Sequence, residues 1–244
     1  MKVDLLCSGS KGNSCLIRSE HSQILIDCGS TKTYLKNAFK EVGANVEDCQ
    51  AVLITHAHSD HISQIKMFRE YPIFSYCDLK DIEQHHRIYP YQEFDIDDFH
   101  ILVISLSHDS PNTVGFVITC EDEKLVYITD TGYLPNRAKA YLENATYYIF
   151  ESNHDMDMLM KSKRPVFLKQ RILGDTGHLN NEDASNHLCS LIGKNTEHVV
   201  LAHISDECNT CQRALDVFLS KWNRPLHFKL MAMEQRTIYS LQKQ

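Results

Sequence analysis

The sequence predicts a mixed α/β (α+β) fold. Short apolar runs rich in β-branched residues recur along the chain, and segments with helical spacing of apolar residues lie between them. The strands fall both in hairpin-like clusters and in strand–helix alternations, which indicates a mixed sheet arrangement. Because no repeat, low-complexity segment or Pro/Gly/Ser-rich linker interrupts the pattern, we predict one domain spanning residues 1–244.

The predicted strands are four to seven residues long and are bounded by polar or turn-forming residues. They are Val3–Cys7, Cys15–Arg18, Gln23–Asp27, Ala51–Thr55, His100–Leu106, Val114–Thr119, Lys124–Thr129, Tyr147–Glu151, His198–Ala202, His227–Met231 and Arg236–Ser240.

The first predicted helix begins after Ser30, a candidate N-cap, and ends at Gly43, a typical C-terminal glycine. The segment Glu151–Leu173 is expected to form two helices separated at Arg164-Pro165, because the residue before proline disfavours helix. The remaining predicted helices are Asp60–Glu70, Leu134–Leu142, Glu182–Ile192 and Thr210–Trp222.

Composition is that of an ordinary globular protein. The 244 residues are 43% hydrophobic and 23% charged, with a formal net charge of −7, so no global positive charge indicates nucleic-acid binding. The nine cysteines are odd in number and scattered, which favours reduced thiols over a disulfide framework. No apolar run approaches the roughly 20 residues of a membrane span. We therefore expect a soluble, cytoplasmic protein that does not bind membranes.

The most informative motif is the run from Thr55 to His61, which directly follows the apolar strand Ala51–Thr55. It reads His-x-His-x-Asp-His and offers three imidazoles and one carboxylate, a ligand set that suits Zn²⁺, Mn²⁺ or Fe²⁺. The spacing assigns His56 and His58 to one ion and the Asp60–His61 pair to a neighbouring one. A histidine-rich surface turn is the alternative interpretation, but this pattern is far more specific than two histidines. The motif predicts a dinuclear metallohydrolase.

Four further ligand-type residues lie at or just beyond the ends of predicted strands: Asp27, His108, Asp130 and His203. Residues placed beyond strand ends converge on one edge of a sheet, which is how a site with several metals is assembled. Each histidine taken alone would more often be structural than a ligand, whereas the set favours a site. We predict His56, His58 and His108 for one ion, Asp60, His61 and His203 for the second, and Asp130 as the bridging carboxylate.

In their order, these residues resemble the metallo-β-lactamase superfamily, whose motifs are an early Asp, His-x-His-x-Asp-His, a His, an Asp and a late His. The resemblance covers nearly the whole chain. It implies the four-layer αβ/βα sandwich, with the site at the edge of two facing sheets and two divalent metal ions, Zn²⁺ or Mn²⁺, as cofactors.

Within that superfamily the chain most resembles the YycJ/WalJ-like group, single-domain relatives of the β-CASP nucleases. The segments that carry this resemblance are 6–14, 151–155, 177–184 and 203–205. It implies a 5′→3′ exonuclease that is linked to repair and acts on DNA, with RNA as a second possible nucleic-acid substrate.

The resemblance also implies roles for individual residues. Asp60 and Asp27 are expected to be catalytic, with Asp27 accepting an imidazole N–H and so fixing that ring. His178 is expected to contact the scissile phosphate and to give a proton to the leaving oxygen, or to stabilise it. Candidate substrate-binding residues are Asn13, Ser14, His154 and His178, with Asn13 and Ser14 placed at the terminal phosphate.

Other functions use the same ligand set. A phosphodiesterase acting on a cyclic or nucleotide-like small molecule is the closest alternative, followed by a thioesterase or lactamase with a carbonyl-sized pocket. A metal-stabilised binding or scaffold protein without turnover is the alternative of another class. The five basic residues between Lys161 and Arg171 are either a solvated helix face or a patch that tracks a nucleic-acid strand.

Overall fold

The computed structural model describes residues 1–80, 82 and 85–243. The strands formed within these residues are β1 (Lys2–Cys7), β2 (Ser14–Arg18), β3 (Gln23–Ile26), β4 (Ala51–Ile54), β5 (Ile73–Ser75), β6 (His86–Arg87), β7 (Glu93–Ile96), β8 (Phe99–Ser105), β9 (Val114–Cys120), β10 (Glu123–Ile128), β11 (Tyr147–Glu151), β12 (His198–Ala202), β13 (Lys229–Ala232) and β14 (Tyr239–Gln242). The helices are α1 (Lys32–Glu41), α2 (Ser59–Ile62), α3 (Asn136–Leu142), α4 (Met156–Lys161), α5 (Val166–Leu173), α6 (Asn181–Leu191) and α7 (Cys211–Lys221), with 3₁₀ turns at Val46–Asp48 and Ile65–Phe68.

The strands form two seven-stranded mixed sheets. One has the order β14-β1-β2-β3-β4-β5-β6 and the other β13-β12-β11-β10-β9-β8-β7. In each sheet an antiparallel half continues into a parallel half: β3 to β6 are parallel, as are β10 to β13. The carboxyl ends of those parallel strands therefore meet at one edge of each sheet.

The two sheets pack face to face, and helices cover their outer faces. On β8, Ile101 and Val103 belong to the core between the sheets, whereas Leu102 and Ile104 face outward into a second core. This alternation follows from the two-residue period of a strand. The outer core of the second sheet includes residues of α3, α6 and α7, and α1 packs against the outer face of the first sheet. The α/β class and the four-layer arrangement are confirmed.

All eleven predicted strands are present, although the last two begin later than predicted, at Lys229 and Tyr239. The two-helix prediction for the segment before Leu173 is confirmed, with Pro165 at the start of α5. Strands β5, β6 and β7 were not predicted. The single-domain organisation stays a prediction; the core shared by both sheets supports it, and residues 81, 83, 84 and 244 lie outside the described part.

Two helix predictions are wrong in their bounds. The N-cap of α1 is Thr31, whose side chain accepts a hydrogen bond from the Tyr34 amide, and not Ser30. The helix predicted over Asp60–Glu70 ends at Ile62. The helix does not continue because the His61 carbonyl accepts a hydrogen bond from the Cys28 amide, outside the helix.

In the part of the chain that the structure describes, no helix has the length and apolar character needed to cross a bilayer.

Candidate metal centre

The predicted ligands lie together where the parallel strands of both sheets end. Asp27 directly follows β3, and the His-x-His-x-Asp-His motif begins two residues after β4. From the second sheet, Asp130 and His203 follow β10 and β12 in the same way. His108 lies in the loop after β8. The prediction that strand ends bring these residues together therefore matches their placement.

The ligand atoms form groups of the predicted composition. Atoms from His56, His58 and His108 all lie within 4.8 Å of one another, and so do atoms from Asp60, His61 and His203. The Asp130 carboxylate lies between the two groups, with Oδ2 at 3.1 Å from His61 Nε2 and Oδ1 at 3.9 Å from His108 Nε2. This arrangement can hold two cations and one carboxylate shared between them.

Hydrogen bonds behind the imidazole rings fix which nitrogen faces the centre. His61 Nδ1 lies 2.7 Å from Asp27 Oδ2, and His108 Nδ1 lies 3.1 Å from the Gly177 carbonyl oxygen. Each of these acceptors takes the Nδ1–H and turns Nε2 toward the cluster, the usual way in which an imidazole is oriented for a metal. Asp27 is itself fixed, because its two oxygens accept bonds from the Thr55 amide and hydroxyl.

Unpaired buried atoms show that the cluster fits a cation. His56 Nε2, His203 Nε2 and Asp130 Oδ2 are buried and have no hydrogen-bond partner among the described residues. Buried polar atoms without a partner are costly. Here His56 and His203 each share a group of close ligand atoms with Asp130, and neutral imidazole nitrogens and carboxylate oxygens are the donors that Zn²⁺ and Mn²⁺ accept.

Electrostatics in the cluster are dominated by carboxylates facing imidazoles. Burial alone lowers the pKa of His203, but Asp130, Asp60 and Glu151 raise it to about 10. Burial would raise the pKa of Asp130, whereas the facing imidazoles of His203 and His61 hold it well below its ordinary value. Against burial, Asp27 and Asp130 also raise the pKa of His61, whereas burial lowers the pKa of His56 and His108. Protons on His61 and His203 thus balance the carboxylates. Divalent cations would replace those protons, as in other sites whose ligands must lose protons to bind.

Sequence reasoning missed Glu151 as a site residue. It is the last residue of β11 and is fully buried; Oε1 lies 2.7 Å from His178 Nδ1 and 3.2 Å from His203 Nδ1. Its other oxygen accepts bonds from the Thr131 and Leu179 amides. Burial would raise its pKa, but the imidazoles of His178 and His203 lower it to about 2. The rule that located Asp130 and His203, a ligand-type side chain at a strand end, would also have located Glu151.

His178 lies at the rim of the centre. Its ring stacks on His203, with ring centroids 5.3 Å apart, and meets His108 edge-on at 5.0 Å. It is partly exposed and lines a cavity with Asp109, Arg164, Arg171 and His203. With Nδ1 bonded to Glu151, its Nε2 remains available to a bound molecule.

The predicted substrate-binding side chains other than His178 are buried. Asn13 Nδ2 lies 2.9 Å from His61 Nε2 and 3.3 Å from Asp60 Oδ2, while its oxygen accepts from the Gly9 amide. The Ser14 hydroxyl donates to the Asp27 carbonyl. His154 is 1% exposed and has both ring nitrogens unpaired among the described residues. These contacts position the centre; substrate contact by the three residues stays a prediction.

Known proteins match this chain over most of its length. A family model for the β-lactamase superfamily domain matches residues 22–204. The exodeoxyribonuclease YycJ of Bacillus anthracis is 33% identical over 222 residues, covering 86% of this chain and 84% of that protein. The exodeoxyribonuclease WalJ of Streptococcus pneumoniae (strain D39) is 33% identical over 223 residues, covering 85% and 83%.

Solved structures agree on the fold. The metallo-β-lactamase-fold protein YhfI of Bacillus subtilis superposes with a TM-score of 0.76 at 19% identity over 98% of both chains. A diphosphatase of the PhnP family superposes with a TM-score of 0.67 at 14% identity, over 100% of this chain and 98% of the other. Together with the matched family model, the curated relatives and the clustered ligands, these results show that the chain belongs to the metallo-β-lactamase superfamily, among its YycJ/WalJ-like members, and is a metal-dependent hydrolase.

Proposed function

We propose that this hydrolase is a phosphodiesterase of the nuclease type, a 5′→3′ exonuclease acting on DNA. The observation that carries the proposal is the 33% identity to two curated exodeoxyribonucleases over about 85% of the chain. The stretch from Gly177 to Ala184, which includes His178 at the cavity rim, favours a phosphate over a carbonyl substrate through its resemblance to the nuclease motif.

Two divalent cations would be held by the groups described above, with Asp130 between them. When bound, such ions supply Lewis acidity and offset the negative charge that develops on phosphate oxygens. The side chains do the remaining work. Asp27 keeps the Nδ1 proton of His61 away from the centre, and Asn13 holds Asp60 in place.

His178 is the proposed catalytic residue that touches the substrate. The Glu151 carboxylate accepts its Nδ1–H at 2.7 Å and so directs Nε2 into the cavity. In the imidazolium form, Nε2–H can donate a hydrogen bond to a phosphate oxygen and pass its proton to the leaving oxygen, which leaves a neutral imidazole bonded to Glu151 through Nδ1–H. Arg164 and Arg171 line the same cavity, where each is paired with a carboxylate, that of Glu207 or Asp109.

The test is digestion of end-labelled polymers. Protein loaded with Mn²⁺ or Zn²⁺ is incubated with single- and double-stranded DNA and RNA, labelled at the 5′ or 3′ end. Stepwise release of mononucleotides from the 5′ end of DNA is expected. The His178→Ala variant should lose the activity, and His21→Ala, which alters an exposed histidine on the loop after β2, should retain it.

Hydrolysis of bis-p-nitrophenyl phosphate, nitrocefin and a thioester by the same loaded protein separates the alternatives. Turnover of the phosphodiester with intact polymers would replace the exonuclease by a small-molecule phosphodiesterase. Turnover of nitrocefin or the thioester alone would indicate a carbonyl substrate. No turnover of any substrate would favour a binding or scaffold role.

A further inference from the structure

The hairpin of α4 and α5 carries an unusual exposed surface beside the cavity. Leu159 of α4 packs with Leu168 and Ile172 of α5 and with Cys208 in a small core of their own. The apolar side chains on the other faces of the hairpin remain in solvent. Five of the ten large hydrophobic residues exposed in the described part of the chain lie here: Met156, Met160, Val166, Phe167 and Leu173.

Phe167 is the notable member of this group. It is 71% exposed, a high value for an aromatic ring on an ordered helix. The next residue, Leu168, lines the cavity, and so does Arg171, which lies one helical turn further on. Residues four apart on a helix share a face. The Phe167 ring therefore lies at the edge of the cavity and faces solvent.

The same hairpin carries two lysines that form no ion pair with the described residues. Arg164 pairs with Glu207 and Arg171 with Asp109, but none of the ion pairs formed within the described residues includes Lys161 or Lys163. Both lysines are exposed. Two ammonium groups beside an exposed ring suit a polyanion that also presents flat apolar faces, whereas a protein partner with an apolar patch would not need the charge.

We propose that this surface, formed by Lys161, Lys163 and Phe167 and here called the hairpin platform, binds the part of a single-stranded DNA substrate that lies outside the cavity. Phe167 stacks on a base, and the lysines contact the phosphates on either side of it. Stacking on an aromatic ring tolerates any base sequence, and basic side chains track the backbone. The proposal rests on the proposed function and adds to it a binding site for the strand, separate from the residues that cleave it.

The test measures binding apart from cleavage. The metal-loaded protein is titrated into a fluorescein-labelled phosphorothioate oligonucleotide of twenty thymidines, and the Kd is obtained from anisotropy. Phe167→Ala is expected to raise the Kd by about tenfold, since one stacked base contributes about that factor or more. Phe167→Tyr should restore wild-type affinity, and Phe167→Leu should not. Leu219→Ala, which removes an exposed apolar side chain from α7, is the matched control.

The lysines have a separate signature. Replacing Lys161 and Lys163 with glutamine should reduce the dependence of log Kd on log salt by about 0.7 for each phosphate that the variant no longer neutralises. Hydrolysis of bis-p-nitrophenyl phosphate should be unchanged in all of these variants, because that substrate is too small to reach the platform.

Two outcomes of the titration would overturn the platform: a Kd within twofold of wild type in Phe167→Ala, or full affinity in Phe167→Leu. Binding to phosphatidylglycerol vesicles is measured for the same variants. If Phe167→Ala loses vesicle binding while its oligonucleotide affinity is unchanged, the surface binds lipid and the proposal is also overturned. Failure of the wild type to digest DNA would instead refute the exonuclease proposal. The two failures are distinct because binding is measured on a strand that is not cleaved.

Discussion

Replacing Glu151 with glutamine is expected to preserve the fold while moving the protons on two imidazoles. In the wild type, Oε1 of Glu151 accepts from His178 and His203, and Oε2 accepts from the Thr131 and Leu179 amides. Backbone amides can only donate, so the oxygen of a glutamine must take the place of Oε2. Its NH₂ group then faces the two imidazoles.

An NH₂ group can only donate, and therefore each imidazole that it meets must accept at Nδ1 and carry its proton on Nε2. For His203, Nε2 is the buried atom that points at Asp130 and the proposed metal. A proton there blocks coordination. For His178, Nδ1–H loses its acceptor, which disfavours the imidazolium that the proposed proton transfer requires. The substitution thus keeps the shape of the site but changes which ring nitrogens of His178 and His203 carry protons.

The cost follows from the bonds that change. Hydrogen bonds to a charged group contribute about 1.5–3 kcal/mol and neutral ones about 0.5–1.5 kcal/mol. Exchanging two charged bonds for neutral ones therefore costs about 2 kcal/mol, or about 4–8 °C in Tm for a chain of this size. Loss of the correct orientation behind a ligand lowers metal affinity by about 10- to 100-fold.

Metal affinity is measured by equilibrium dialysis, stability by thermal unfolding and the proton positions by ¹⁵N chemical shifts of the imidazoles. Glu123→Gln is the matched control, because Glu123 is also a buried carboxylate but lies at the start of β10, at the opposite end of the sheet, beside Tyr147. Wild-type metal affinity in Glu151→Gln, with Nδ1–H retained on His203, would refute this reasoning.

Three further substitutions test other parts of the site, and Gly43→Ala is the control for the third. His178→Ala should retain the bound metal, measured by elemental analysis, and lose at least about 100-fold in kcat on DNA, whose alkoxide leaving group needs the proton that His178 is proposed to give; an unchanged kcat on DNA would exclude that role. Asp27→Asn should lower metal affinity by about 10- to 100-fold in equilibrium dialysis, and unaltered affinity would contradict its positioning role. Gly29→Ala should reduce the unfolding free energy in urea by about 3 kcal/mol, because its Cβ would lie 1.7 Å from the Asp60 carbonyl oxygen. Gly43→Ala should cost only about 1 kcal/mol, because it has free space and a positive φ of 69°; equal costs would show that the crowding at Gly29 is relieved.

The ligands could be located from the sequence because their positions follow from one regularity. An apolar strand buried on both faces must end where polar side chains begin, and parallel strands end at the same edge. Asp130 and His203 are placed in this way without knowledge of the sheet order. Glu151, the last residue of β11, follows the same regularity, and the strand that ends there was predicted, but its carboxylate was not identified as part of the site.

The helix predicted to continue to Glu70 shows what a periodic pattern omits. Its spacing of apolar residues is helical, but the His61 carbonyl accepts from the Cys28 amide, and the Gln64 amide donates to the Cys28 carbonyl. These two contacts join the motif to the loop after β3, where Asp27 lies. Local propensity is outweighed because the loop must satisfy its own buried backbone groups. No pattern within the helix itself indicates which distant residue will take those bonds.

The backbone conformation at the centre is a further feature that the strand pattern does not indicate. Asp27, Asp130 and His203 have φ values of 56°, 57° and 55°, in the left-handed region. Asp and His tolerate that region better than most residues, but each still loses about 1 kcal/mol there. Contacts from other segments hold the conformation: the Asp27 amide donates to the Leu53 carbonyl, and the His203 amide donates to the Ser8 hydroxyl. Three residues from separate strands thus adopt the same unfavourable turn where they face one another. These three backbone conformations destabilise the fold at the point where the side chains must converge. The two sheets, which are buried on both faces, hold the three residues in place.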